Sequence, residues 1–102
     1  MVKIGSINVE NKLFLAPMSN VTSLPFRVMC RKYGAGMIYS EMINADAFVK
    51  ESFKTKKRSF FLKDEKPIGI QLSGSSVEVL KEAVIKVEDE LKPDLVDINI
   101  GC

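Results

Sequence analysis

The 102-residue sequence has no histidine and no tryptophan, and only two cysteines. Without histidine it lacks the side chain that most often serves as general base or metal ligand near neutral pH. Cys30 and Cys102 are too few for a disulfide scaffold and suit a reducing compartment, so a cytoplasmic location is expected. With no histidine and two distant cysteines, no metal site is expected. There is no run of 18 apolar residues and hence no membrane span, and no basic stretch followed by an apolar core that would read as a secretory signal. Internal repeats and linkers rich in Pro, Gly or Ser are also missing.

What is present is the profile of a soluble globular chain. Apolar residues make up 46% and charged residues 27%, which excludes a disordered tail. The formal net charge is +2, unevenly spread. The stretch 50–66, KESFKTKKRSFFLKDEK, is strongly basic, and 67–102 is acidic. Phe53, Phe60 and Phe61 stand among the lysines. Aromatics among bases suit a nucleic-acid surface. The plainer reading is a solvated helix with a few core-facing rings.

Strand and helix signals alternate. Val2–Val9 reads as a hairpin turning near Gly5–Ser6, and Leu13–Ala16 as a short buried strand stopped by Pro17. Ser23 is a good N-cap, and Phe26, Met29, Cys30 and Tyr33 recur at helical spacing before Gly34. That spacing makes Cys30 a core residue. Met37–Met42 is a second strand. A helix from about Ala47 to Arg58, capped by Asn44 or Asp46, follows. Ile68–Leu72 is a third strand. Val77, Leu80, Ala83, Val84, Val87 and Leu91 share one face of a helix capped by Ser75 or Ser76 and stopped by Pro93. Leu95–Ile100 is a fourth strand, interrupted by Asp97 and Asn99.

Strands separated by helices imply a parallel sheet. Four parallel strands with three helices, preceded by a hairpin, make an α/β chain that is either a doubly wound sheet or half of an eight-stranded barrel. Ending on a strand at Gly101–Cys102, with no helix to follow, it reads as a portion of a larger protein. Ligands of such folds bind at the carboxyl ends of the strands. Polar or reactive residues collect there: Ala16-Pro17-Met18-Ser19, Ser40 to Asn44, Gln71 to Gly74, and Asn99, Gly101 and Cys102, the last closing an unexpected Asp-x-Asn-x-Gly-Cys pattern that starts at Asp97. A buried polar side chain is costly unless paired, so a ligand is a reasonable partner.

The segments LAPMSNVTSLPFR, SEMINADAF, PIGIQLSG and PDLVDINIGC resemble, in order, the N-terminal part of the tRNA-dihydrouridine synthases. The resemblance implies an FMN-dependent enzyme, with NADPH as reductant, that reduces uridine in tRNA to 5,6-dihydrouridine. It also implies a (β/α)8 TIM barrel, of which residues 1–102 are the N-terminal half, followed by a helical tRNA-binding domain. By position, Pro17, Met18, Ser19 and Gln71 match flavin-contacting residues. Asn99 matches an asparagine near the target uracil, and Asn44 lies near a loop position that touches tRNA. Cys102 matches the catalytic cysteine, a thiol able to protonate C5 of the uracil after hydride reaches C6. Met42 stays undecided between core and flavin. Glu41 either pairs with a neighbouring lysine or orients the active-site loop. Another FMN barrel, of the dihydroorotate-dehydrogenase kind, is the alternative within enzymes. A non-catalytic chain that self-associates through open sheet edges is the alternative outside them. Alone, the chain is expected to bind FMN poorly and to have no turnover.

Overall fold

The computed structural model describes residues 1–101. Strands β1 (Val2–Ile4) and β2 (Ile7–Val9) form the antiparallel hairpin. Gly5 turns it with φ +59°, a conformation that a Cβ disfavours. Three longer strands, β3 (Ile38–Asn44), β4 (Ile68–Ser73) and β5 (Leu95–Ile98), form a parallel sheet in sequential order.

The apolar run Leu13–Ala16 is not a full strand. It contributes one parallel bridge, Phe14 to Met37, beside β3. The Leu15 N–H donates to the Met37 carbonyl at 2.9 Å. Pro17 has no N–H with which to continue the ladder. The chain then folds back at once, with the N–H groups of Val21 and Thr22 both donating to the Met18 carbonyl. Four expected strands are therefore three strands and a bridge. At the other end, β5 stops at Ile98, short of the expected Ile100. Asn99 still donates to the Leu72 carbonyl at 2.9 Å. Its side-chain oxygen accepts from the Gly101 N–H, a local turn that competes with the ladder.

The helix expected over Ala47–Arg58 is two helices, α2 (Ala45–Val49) and α3 (Phe53–Ser59). Glu51 breaks them with φ +59°. The break lets Phe48 enter the core while Thr55 and Ser59 turn inward from α3. With α1 (Leu24–Lys32) and α4 (Val77–Glu90) the described residues hold four α-helices, not three, and a 3-10 turn at Lys63–Glu65. None is long and apolar enough to cross a membrane.

The core lies between one sheet face and helices α2 and α4. Ile43, Ile70 and Leu72 meet Phe48, Ala83 and Val87 there, and Leu80, Val84 and Leu91 close it from the expected face of α4. Val77, assigned to that face, is exposed. Ser76 caps α4 by accepting from the Val79 N–H.

Helix α1 sits opposite to expectation. Phe26, Met29 and Tyr33 face out, Tyr33 being 79% exposed, and Cys30 is half-buried. The side chain fully buried is Arg27. Its Nε donates to Glu65 at 2.6 Å, and its terminal nitrogens reach the carbonyls of Thr22 (2.9 Å) and Phe60 (3.0 Å). Glu65 in turn accepts from the Leu62 N–H. One turn on, Arg31 donates to the carbonyls of Ala35, Gly36, Glu65 and Pro67. It thereby staples the entry of β3 to the entry of β4. Burial lowers the Arg31 guanidinium from its ordinary range, against the opposing charges of Glu65, Glu10 and Asp94.

Candidate active site at the carboxyl edge of the sheet

Alternation along the strands gives the sheet a second face, away from α2 and α4. It carries Gly69 and Gln71 of β4 beside Leu95 and Asp97 of β5. Gly69 is where this face packs closest: a Cβ there would lie 2.7 Å from both Leu95 and Tyr39. Above it the face becomes polar.

A bulge in β3 shapes that polar region. Tyr39 stands opposite Gly69 and Met42 opposite Gln71, so Ser40 and Glu41 together oppose Ile70. The Ser40 hydroxyl closes the gap. It accepts from the Gln71 N–H at 3.0 Å and donates to the Glu41 carbonyl at 2.7 Å. The extra residue restores Met42 to the Gln71 face and frees Glu41 from the alternation.

Glu41 is buried, and its carboxylate accepts from the Asn20 N–H at 2.7 Å. Asn20 has φ +63° in the tight loop after Pro17. The Thr22 hydroxyl secures the same loop, accepting from the Met18 N–H and donating to the Met18 carbonyl. Of the two readings open for Glu41, the structure gives the loop anchor, and no lysine among the described residues pairs with it. Glu41→Ala would leave that N–H without its charged acceptor, at a cost of about 1–3 kcal/mol. Amide hydrogen exchange should accelerate at residues 18–22 with little change in β4; uniform acceleration would contradict the anchoring role.

Gln71 is buried at the centre of the edge, and its Nε2 donates to Asp97 Oδ2 at 2.8 Å. A carboxylate only accepts, so the amide nitrogen must face it. The Gln71 carbonyl oxygen is left to accept, with no donor to it among the described residues. Burial, and then the Asp97 charge, hold the Tyr39 phenol above its ordinary range.

Two cavities open along this edge. One of about 570 Å³ is lined by Met42, Ser73, Gly74, Asn99 and Gly101, among others. The next, about 320 Å³, shares Met42 and Ser73 and adds Ser19, Asn44 and Arg58. The structure thus brings Ser19, Asn44 and Asn99 onto one rim, with Gln71 beside Met42 in register. Pro17 and Met18 lie in the Glu41-anchored loop and line neither cavity. Asn44 also has a structural role, since its Oδ1 caps α2 by accepting from the Ala47 N–H at 2.9 Å. Cys102 lies outside the described residues, next after Gly101. Sequence reasoning places Asp97 and Ser40 among the polar residues near this edge without giving either a role; the structure shows Asp97 orienting Gln71 and Ser40 closing the bulge.

The rim presents a Gln71 amide oriented by Asp97, the amide side chains of Asn44 and Asn99, and the Met42 thioether.

Residues 14–102 match the family model described as "Dihydrouridine synthase (Dus)". The "tRNA-dihydrouridine synthase B" of Pseudomonas syringae pv. tomato is 39% identical over 101 residues, spanning 99% of this chain and 30% of that protein. A "Probable tRNA-dihydrouridine synthase" of Rickettsia conorii is 37% identical over 103 residues, covering 100% of this chain and 31% of its own length. One of the same description from Aquifex aeolicus is 39% identical over 93 residues, 91% of this chain and 29% of that protein. The chain therefore spans about three-tenths of the length of these relatives. On the match over residues 14–102, it belongs to the dihydrouridine synthase family.

Proposed function

We propose that the protein reduces uridine to 5,6-dihydrouridine in tRNA with FMN as cofactor and NADPH as reductant. Residues 1–102 are then the N-terminal portion of a (β/α)8 catalytic barrel in a cytoplasmic enzyme. With the parallel Phe14 bridge beside β3, four successive segments lie side by side in chain order, which supports the barrel, because a doubly wound sheet of order 3-2-1-4-5-6 reverses after its third strand. The observation that carries the functional reading is the rim itself. Ser19, Asn44 and Asn99 line two adjoining cavities that share Met42, the register partner of a Gln71 whose amide is turned by Asp97.

These residues fit a flavin. Gln71 offers its carbonyl oxygen to a ring N–H, and Pro17, Met18 and Ser19 present a loop held rigid from below by Glu41. When bound, FMN supplies the hydride that reduces C6 of the uracil. Asn99 has an amide N–H to orient the uracil edge, its oxygen being engaged by Gly101. The Cys102 thiol donates the proton to C5. Asn44, with its oxygen committed to the α2 cap, offers its amide N–H groups to the RNA. The base must leave its stack to reach this edge.

The test is anaerobic mixing of the NADPH-reduced protein with unmodified tRNA. Flavin reoxidation together with dihydrouridine in the RNA supports the reading. Reoxidation by a pyrimidine nucleotide alone, with none by tRNA, would move the assignment to another FMN barrel.

A second observation favours self-association of residues 1–102 taken alone, since in the barrel proposed above the same edges pair with further strands. Among the described residues β5 pairs only with β4, and the Phe14 segment only with β3, so the sheet has two open edges. Sedimentation of the 102-residue chain should show a dimer or larger species. A monomer at high concentration would contradict this.

A further inference from the structure

The basic stretch has an arrangement that the rim chemistry does not use. Helix α3 is two-sided. Lys56 turns to Glu51, at 3.3 Å, in a pair that Lys86 joins. Thr55 and Ser59 are buried. Lys54, Lys57 and Arg58, at i, i+3 and i+4, share the remaining face. No carboxylate among the described residues lies within ion-pair distance of any of the three. Arg58 meets the neutral Asn20 side chain instead, at 3.3 Å. Like charges at these spacings oppose helix formation, so the face is unneutralised as it stands.

The face continues the rim. A third cavity, about 350 Å³, is lined by Lys54, Lys57, Arg58, Phe60 and Glu41, among others. It shares Lys54 and Arg58 with the cavity that holds Ser19 and Asn44. That one shares Met42 and Ser73 with the cavity at Asn99. Adjoining through these shared residues, the three cavities follow one another from the rim to the basic face. Their carboxylate, Glu41, is already engaged by the Asn20 N–H. The aromatics there do not face the core as a plain amphipathic helix would have them: Phe60 is 56% exposed and Phe53 83%, and Phe61 alone packs inward.

We propose that the Lys54–Lys57–Arg58 face binds the phosphate backbone of the RNA strand flanking the base held at the rim, with Phe60 as a stacking surface for a neighbouring base. This rests on the uridine-reducing reading and adds the path of the strand to it. A polyanion explains three cations without carboxylate partners in a row beside adjoining cavities, and an exposed ring beside them suits an unstacked base.

The experiment is the salt dependence of binding to an unmodified tRNA transcript, read by fluorescence anisotropy. The triple variant Lys54→Gln/Lys57→Gln/Arg58→Gln is compared with Lys3→Gln/Lys12→Gln/Lys81→Gln, which removes the same net charge from exposed sites elsewhere. Each lost phosphate contact to a single strand flattens the log–log salt slope by about 0.7. The basic-face variant should therefore lose roughly 2 units of slope, while the control keeps the wild-type slope. Single substitutions, each worth about 0.7, give the same reading if circular dichroism shows the triple variant short of helix. Equal slopes for both triple variants, with wild-type dihydrouridine formation intact, overturn the strand path and leave the catalytic reading standing. Wild-type protein that does not bind tRNA overturns both.

Discussion

Replacing Arg27 by alanine should cost about 3–5 kcal/mol, a large part of the stability of a chain this size. The side chain is 1% exposed, and its partner Glu65 is 2% exposed. Truncating Arg27 leaves the Glu65 carboxylate buried with only the Leu62 N–H, and it orphans the carbonyls of Thr22 and Phe60. Glu65→Gln should be milder, because an amide oxygen can still accept from Arg27. The double replacement Arg27→Met/Glu65→Leu should be markedly more stable than Arg27→Ala, since no lone buried charge remains. Denaturant unfolding monitored by circular dichroism reads all three. A loss under 1 kcal/mol for Arg27→Ala would mean that the pair is solvated and that α1 is not held by it.

Cys102→Ala should leave reduction of the flavin by NADPH unchanged and lower transfer to tRNA by about 10²–10⁴-fold, the usual worth of a positioned general acid. Single-turnover mixing of reduced enzyme with tRNA separates the two half-reactions. If the thiol is the proton donor, Cys102→Ser should be nearly as slow, because a hydroxyl is a far weaker acid than a thiol. A Cys102→Ala enzyme transferring within threefold of wild type would remove the thiol from the mechanism.

The sequence makes the sheet and α4 legible because their patterns are local. Strands β3 to β5 are short apolar runs, and α4 repeats its apolar face over several turns. The parallel arrangement follows from alternation, and with it the prediction that Pro17, Met18, Ser19, Asn44, Gln71, Asn99 and Cys102 share an edge; of these Ser19, Asn44 and Asn99 line the rim cavities, and Cys102 lies outside the described residues. Helix α1 misleads because its apolar spacing is real but points outward. Its inward residue is a charge whose acceptors, Phe60 and Glu65, stand 33 and 38 residues away. No sequence window contains them. The break at Glu51 is hidden for a similar reason. Glutamate is a good helix former, and its tie to Lys86 arises only once α4 is in place. In the site, Gln71 stands out as an amide within an apolar strand, whereas its orientation by Asp97 depends on strand register. Ser40 matters only through a bulge, which one strand's sequence does not reveal.

The central claim is that the carboxyl edge of this sheet is where the flavin and uracil rings rest. It is tested most directly by amide chemical shifts on adding FMN to the isotope-labelled, flavin-free whole enzyme, because residues 1–102 alone are expected to bind FMN poorly. Changes should concentrate at residues 18–20, 71–74 and 99–101, with the hairpin and the outer face of α4 silent. Shifts clustered instead at the amino ends of the strands, around Ala35, Pro67 and Asp94, would contradict it.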